Sequence, residues 1–381
     1  MGYETRIDRA PAPALATRPI SADSHVCEPP DCYTRHMDPK FRADAPHVLR
    51  DPARGDMFVI KNRPNIPMAF VSGAGRDPKD VGHKFTTYEE FYAGGWEPKA
   101  RLADQDTDGL AGELLYPSVG MSIGQLEDPD YRHACVWAYN RWLQDFCSYD
   151  PSRLVGIGQP AIRTIAEGIK ELEQIKAMGH KGIIMPADGK QAQDFHGEMW
   201  DPFWEAAADL GLPLGFHIFG GKNDMVARGP EINWWNGVMR GVQDIIGTFI
   251  FGGVFERHPK LRLVAVECDA GWVPHYSYRM DHVFNRHRYT KKAVPLSKMP
   301  SAYLSENVYF TFQDDWTALR VTHLLNDRRL LWANDFPHND ATWPHSQQLL
   351  AEQTRDIPAD VTRRILRDNT VELYGLGQAP L

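Results

Sequence analysis

Short runs rich in valine, isoleucine and leucine recur along the chain, too uniformly apolar to alternate with polar positions. Such runs suit strands buried on both faces of a parallel sheet. They fall at 19–26, 112–118, 154–162, 181–187, 213–219, 262–268, 308–313 and 329–335, with helical stretches between them. Asp128-Pro129 and Asp201-Pro202 each read as an N-cap followed by proline at the first helical position. The first of these helices is predicted to run to about Tyr149. Thr164 caps a helix that Gly179 stops after Met178, and a C-terminal helix runs from Asp360 to Tyr374 before Gly375. Eight such strands with helical connections predict an α/β fold, a closed (β/α)8 TIM barrel rather than an open doubly wound sheet.

Two stretches fall outside that alternation. After the first strand comes a long insertion at about 27–111, rich in Pro, Gly and Asp, with a small hairpin predicted in DMFVIKNRPNIPMAFV. Connections of that length carry function or are disordered. At the carboxyl face of a barrel this one is expected to form a lid. Residues 289–306 read as a second irregular insertion. Neither has the look of an independent unit, so residues 1–381 are expected to form a single, distorted barrel domain.

Composition narrows the function classes. A hydrophobic fraction of 43% and a charged fraction of 24% belong to a soluble globular protein. No run of about 18 apolar residues occurs, so no membrane span is expected. The first residues lack the basic-then-apolar order of a secretory signal. A formal net charge of -8 without a basic tract argues against nucleic acid and anionic membrane surfaces as partners. Five cysteines, odd in number and without a CxxC pair, favour buried thiols in a reducing compartment, the cytoplasm.

The chemistry gathers where apolar runs end. In LLWANDFPHNDATWP a strand delivers Asp335 and breaks at once into a Pro/His/Asp/Trp loop. A buried carboxylate costs stability unless it meets a metal, a cation or a substrate. Asp23 and His25, two apart in PISADSHV, point to one face of a strand while Ser24 points away. His217 closes LPLGFHIFG and Glu267 closes LRLVAVECDAG. Oxygen and imidazole ligands converging from separate strands make a divalent-metal site, and barrel enzymes draw their catalytic groups from the strands' carboxyl ends. Glu267 reads as a general acid or base, as a carboxylate that orients a ligand histidine, or as the partner of an arginine. His275 and His338 are further catalytic candidates, His338 as a contact to a ligand or to substrate. Arg101, Arg240 and Arg279 are candidate clamps for a substrate carboxylate, and Trp272, Phe219 and Trp343 would suit a flat acidic substrate.

The stretches SADSHVCEPPD, YNRWLQDFCSYDPSRLVGIGQP, AMGHKGIIMPA, DPFWEAAADLGLPLGFHI, GGVFERHPKLRLVAVECDAGWVP, WANDFPHNDATWP and DNTVELYGL, in that order, resemble the amidohydrolase superfamily in its amidohydrolase-2 branch. That branch includes aminocarboxymuconate-semialdehyde, resorcylate and carboxyvanillate decarboxylases together with hydrolases and hydratases. The resemblance implies a barrel enzyme with one divalent metal held by Asp23, His25, His217 and Asp335. It also implies a homodimer or higher homo-oligomer. Zinc is the ion expected first. The superfamily's usual first pair is His-x-His, and Asp23 in its place hardens the site, making Mn²⁺ or Fe²⁺ alternatives. Glu267 stands where the decarboxylases have a catalytic histidine. The implied reaction is non-oxidative decarboxylation of a small aromatic or unsaturated carboxylic acid. Hydrolysis of an amide, ester, lactone or C–C bond is the alternative.

Overall fold

The computed structural model describes residues 12–186, 189, 191–218, 229–230, 232–291 and 293–377. Eight parallel strands form one sheet in sequence order: β1 (Ile20–His25), β2 (Gly112–Tyr116), β3 (Leu154–Gly158), β4 (Gly182–Ile184), β5 (Leu214–His217), β6 (Leu263–Val266), β7 (Val308–Phe312) and β8 (Leu330–Trp332). Every residue in these strands is buried, the polar ones of β1 included, as a sheet covered on both faces requires. The sheet closes just beyond β8, where Asp335 N donates to Asp23 O at 3.0 Å and His25 N donates to Phe336 O at 2.7 Å. The fold is therefore the expected (β/α)8 barrel.

Ile20, Ala22, Leu114, Tyr116, Val155, Ile157, Val264, Val266, Tyr309 and Leu331 form one buried cluster, the filling of the barrel. Tyr374 joins it from the amino-terminal end, where a Cβ on Gly182 would stand 3.0 Å from its ring. A larger apolar layer that includes Trp200, Phe203, Trp204 and Phe249 packs between strands and outer helices.

Among the helices, Pro129–Cys147 starts as expected, with Asp128 accepting from the backbone of Asp130 and Tyr131. Ile165–Ala177 is capped by Thr164, and Gly179 follows at φ +91°. Asp201 departs from the expectation. It is the first helical residue of Asp201–Asp209 rather than its cap, because its carboxylate pairs with Arg257 and His258 at 2.9 and 3.0 Å. The C-terminal helix is broken into Ala359–Arg363, a π-turn at Arg364–Asp368, and Asn369–Tyr374, before Gly375 at φ +59°.

The stretch 289–306 is less irregular than expected: Pro300–Asn307 is a helix with proline in its first turn. Within the insertion, the predicted hairpin is part of a three-stranded antiparallel sheet formed by His47–Asp51, Gly55–Val59 and Ile66–Pro67. The chain beyond it lies against the loop after β8. Ala74 N donates to Pro337 O at 3.0 Å, and a Cβ on Gly73 would be 2.0 Å from Asn339 Oδ1, so any larger residue there would have to displace the Asn339 side chain. No helix among the described residues is long and apolar enough to cross a membrane. All five cysteines are buried thiols.

Candidate metal centre

β1 carries a register shift between Ser21 and Ser24 against β2. An extra residue of this kind re-aims the side chains beyond it. Ile20 and Ala22 fill the barrel below the shift, and above it Asp23 and His25 reach the mouth. Ser24 points away, its hydroxyl bonded to Asn334 and Glu113. Two further carboxylates arrive on backbone in the left-handed region: Glu267 directly after β6 at φ +57°, and Asp335 shortly after β8 at φ +56°. Such conformations cost about 1–3 kcal/mol for a residue with a Cβ and concentrate at functional sites.

The imidazoles are oriented from outside. His25 Nδ1 contacts Pro117 O at 2.8 Å and His217 Nδ1 contacts Ile218 O at 3.1 Å. A carbonyl only accepts, so Nδ1 carries a proton in each ring, and in the neutral rings both Nε2 atoms turn bare lone pairs inward. His25 Nε2 is 3.2 Å from His217 Nε2, 3.2 Å from Asp335 Oδ1 and 3.4 Å from Asp23 Oδ1. His217 Nε2 is 3.7 Å from Asp23 Oδ1 and 3.4 Å from Glu267 Oε2. Both carboxylate oxygens of Asp23 and of Asp335 are buried without a hydrogen-bond partner. Lone pairs crowded at these distances repel one another unless a cation stands among them. The donor set therefore fits a divalent ion. The ligating atoms of Asp23, His25, His217 and Glu267 lie within 4.8 Å of one another, as do those of His25, Asp335 and His338, and those of Glu267, Asp335 and Asp340.

Charge in the pocket is strongly negative, and no Lys or Arg pairs with Asp23, Glu267, Asp335 or Asp340 among the described residues. Burial, reinforced by the charges of Asp335, Asp340, Asp23 and Asp269, pushes Glu267 well above the usual carboxylate range. Asp269 is raised to about 7 by burial and by Asp315 and Asp314. Burial opposes ionisation of Asp335, yet His338 and His25 carry it well below its ordinary value.

The sequence candidates thus converge, with exceptions. Asp23, His25, His217, Glu267, Asp335 and His338 meet. His275 does not: it is exposed on the helix Val273–His287, its ring 6.2 Å from Tyr278. Arg101 is no carboxylate clamp. It is fully buried behind the site, paired with Glu113 at 2.5 Å, and donates to the carbonyls of His25, Gly94 and Phe336. Arg240 and Arg279 are exposed. Trp272 packs outside the barrel on Phe310 and Tyr276, and Trp343 on Tyr92 and Phe336. Phe219 lies outside the described residues. Sequence reasoning passed over Ser118, which touches His338, and Asp340 at the exposed rim. Their only signal was position, just past β2 and β8.

A (β/α)8 barrel whose strand ends gather carboxylates and inward-facing imidazoles defines a metal-dependent enzyme of the hydrolase type. The amidohydrolase family model matches residues 80–376, and the chain belongs to that family. It is 24% identical over 297 residues to 2-amino-3-carboxymuconate-6-semialdehyde decarboxylase of Dictyostelium discoideum, covering 76% of this chain and 79% of that relative. Among solved structures, it resembles an amidohydrolase from Mycobacterium avium subsp. paratuberculosis at 23% identity and TM-score 0.76, over 96% of this chain and 100% of that one. It also resembles the 5-carboxyvanillate decarboxylase of Novosphingobium aromaticivorans, complexed with manganese and 4-hydroxy-3-methoxy-5-nitrobenzoic acid, at 21% identity and TM-score 0.61, over 72% and 79% of the two chains.

Proposed function

We propose that the protein is a metal-dependent carboxy-lyase that releases CO₂, without an oxidant, from a small aromatic or unsaturated carboxylic acid. The observation that carries this reading is the placement of Glu267, a largely buried carboxyl whose Oε2 stands 3.4 Å from His217 Nε2 beside the ligand cluster. Asp23, His25, His217 and Asp335 are the residues assigned to hold the ion. A bound divalent ion supplies a Lewis acid for the substrate carboxylate and a neighbouring oxygen. Glu267 holds its proton through burial and surrounding negative charge, and delivers it to the carbon that loses CO₂. The named relatives that act on carboxylic acids favour the same reaction.

Zinc is the ion we assign first, with manganese or iron(II) as alternatives because two carboxylates harden the donor set. Metal analysis of the purified protein decides between them. The reaction is tested by measuring CO₂ release from a panel of hydroxybenzoates and muconate-type acids with the metal-loaded enzyme. Absence of release across the panel overturns the proposal.

One observation favours a second reading, hydrolysis of an amide, ester, lactone or C–C bond. The cluster offers four carboxylates and no described Lys or Arg to seat an anionic substrate. In that reading Asp335, held ionised beside His338 and His25, is the base that takes a proton from water. Incorporation of ¹⁸O from water into product separates the two.

A further inference from the structure

His338 is left unassigned by the four-ligand reading, yet its geometry is as constrained as that of the residues assigned. Its backbone N–H closes a turn on Asp335 O at 2.9 Å, and its ring lies stacked on His25, with centroids 3.9 Å apart and planes 24° apart. Nε2 is 2.8 Å from Ser118 Oγ. The Ser118 hydroxyl has a single proton, and it is donated to Val26 O at 2.7 Å. The contact with His338 therefore runs the other way, from Nε2–H to the hydroxyl oxygen. In the neutral ring this leaves Nδ1 bare.

Nδ1 stands 3.1 Å from Asp335 Oδ1, a buried oxygen with no hydrogen-bond donor of its own. The same oxygen is 3.2 Å from His25 Nε2, the inward nitrogen of the stacked ring, bare when that ring is neutral. Three lone pairs thus meet at Asp335 Oδ1, and the three ligating atoms lie within 4.8 Å of one another. A positive charge belongs against all of them.

We infer that His338 is itself a ligand of the ion through Nδ1, and that Ser118 is a positioning residue that locks the tautomer this requires. The centre then takes three imidazoles rather than two, with His25 the residue common to the group of His338 and Asp335 and the group of Asp23, His217 and Glu267. This rests on the metal-centre reading above and deepens it. Imidazole suits zinc and iron better than manganese, so the extra nitrogen counters the hardening effect of Asp23.

The test is a count of imidazole scatterers by X-ray absorption on the zinc-loaded full chain, for wild type, H338N and S118A. Asparagine keeps a short polar side chain but offers no ring nitrogen. Three imidazoles in wild type and two in H338N support the inference. So does zinc affinity weakened about 10–100-fold in S118A, the usual effect of removing a group that orients a ligand. Two imidazoles in wild type, with an unchanged count in H338N and unchanged affinity in S118A, overturn it. They would mean that a second proton on Nδ1, and not the ion, meets the three lone pairs. A wild-type protein that binds no stoichiometric zinc, manganese or iron(II) overturns the metal-centre reading itself, a separate failure.

Discussion

Asp23 occupies a position where the resemblance implies histidine, and the change alters what the pocket must balance. Asp23, Glu267, Asp335 and Asp340 bring four carboxyl groups to a centre that a single dication neutralises only by half. Protonation of Glu267 removes one negative charge and creates an acid in the same step. E267Q keeps the shape and removes that proton. It is expected to lower kcat by roughly 10²–10⁴-fold, the usual contribution of a general acid, with metal content unchanged. Steady-state kinetics beside metal analysis checks this, and an unaltered kcat would remove Glu267 from the role. Asp335, His25 and His217 were legible in the sequence because each stands at or just beyond the end of an apolar run that folds as a buried strand. Ser118 was not, since a serine in a loop acquires meaning only once β1 and β8 lie beside it. His275 was misread because the phase of its helix, which the sequence leaves open, turns it to solvent.

At the scale of elements, the mouth is held together from behind by a buried ion pair. Arg101, on the helix Pro98–Thr107, bridges Glu113 of β2 to the carbonyls that end β1 and follow β8. Removing one member of such a pair strands the other charge in the interior, at a cost of about 3–5 kcal/mol. R101A is therefore expected to lose stability on that order in urea unfolding. It should also weaken metal binding, because His25 loses the donor that fixes its backbone. Simultaneous replacement with R101M and E113L should recover much of the stability but not the metal affinity. A smaller effect is expected at Asp128, whose carboxylate accepts from Asp130 N and Tyr131 N at 3.0 and 3.1 Å. D128A should cost about 1 kcal/mol, the usual value for a lost N-cap, with no change in metal binding. Most of the eight strands could be read from hydrophobic pattern because burial on both faces leaves few polar positions within them, β1 with Ser21, Asp23, Ser24 and His25 being the exception. Their ends were overestimated, since apolar character continues into the loops that line the mouth. The helix Pro300–Asn307 escaped notice because it begins in a Pro- and Lys-rich stretch whose local composition suits a loop, while burial of Tyr303 and Leu304 decides its structure.

For the molecule as a whole, the proposed centre would tie the ends of β1, β5 and β6 to the loop after β8, so ion binding is expected to be linked to folding. In the metal-free protein, burial works against the imidazolium of His25, but Asp23 and Asp335 push it up to about 10 from an ordinary value of 6.5. A group raised in this way stabilises the metal-free fold fully below about pH 6.5, and that contribution is lost as pH rises toward 10. The ion requires Nε2 bare, so binding expels the proton, and affinity should climb about tenfold per pH unit below that value. Both effects act in one direction. The metal-free protein weakens with rising pH while the ion's stabilisation grows, by about 1.4 kcal/mol for each tenfold gain in affinity at fixed free metal. Calorimetric melting at pH 6.5, 7.5 and 8.5, with free ion buffered and with chelator, should show a gap in Tm that widens steadily. Proton release measured on metal addition should approach one per site if His25 alone gives it up, and exceed one if Glu267 is also deprotonated. A gap in Tm that does not change with pH would mean that His25 carries no proton to expel. The crowding of bare lone pairs at the mouth would then need another source of positive charge.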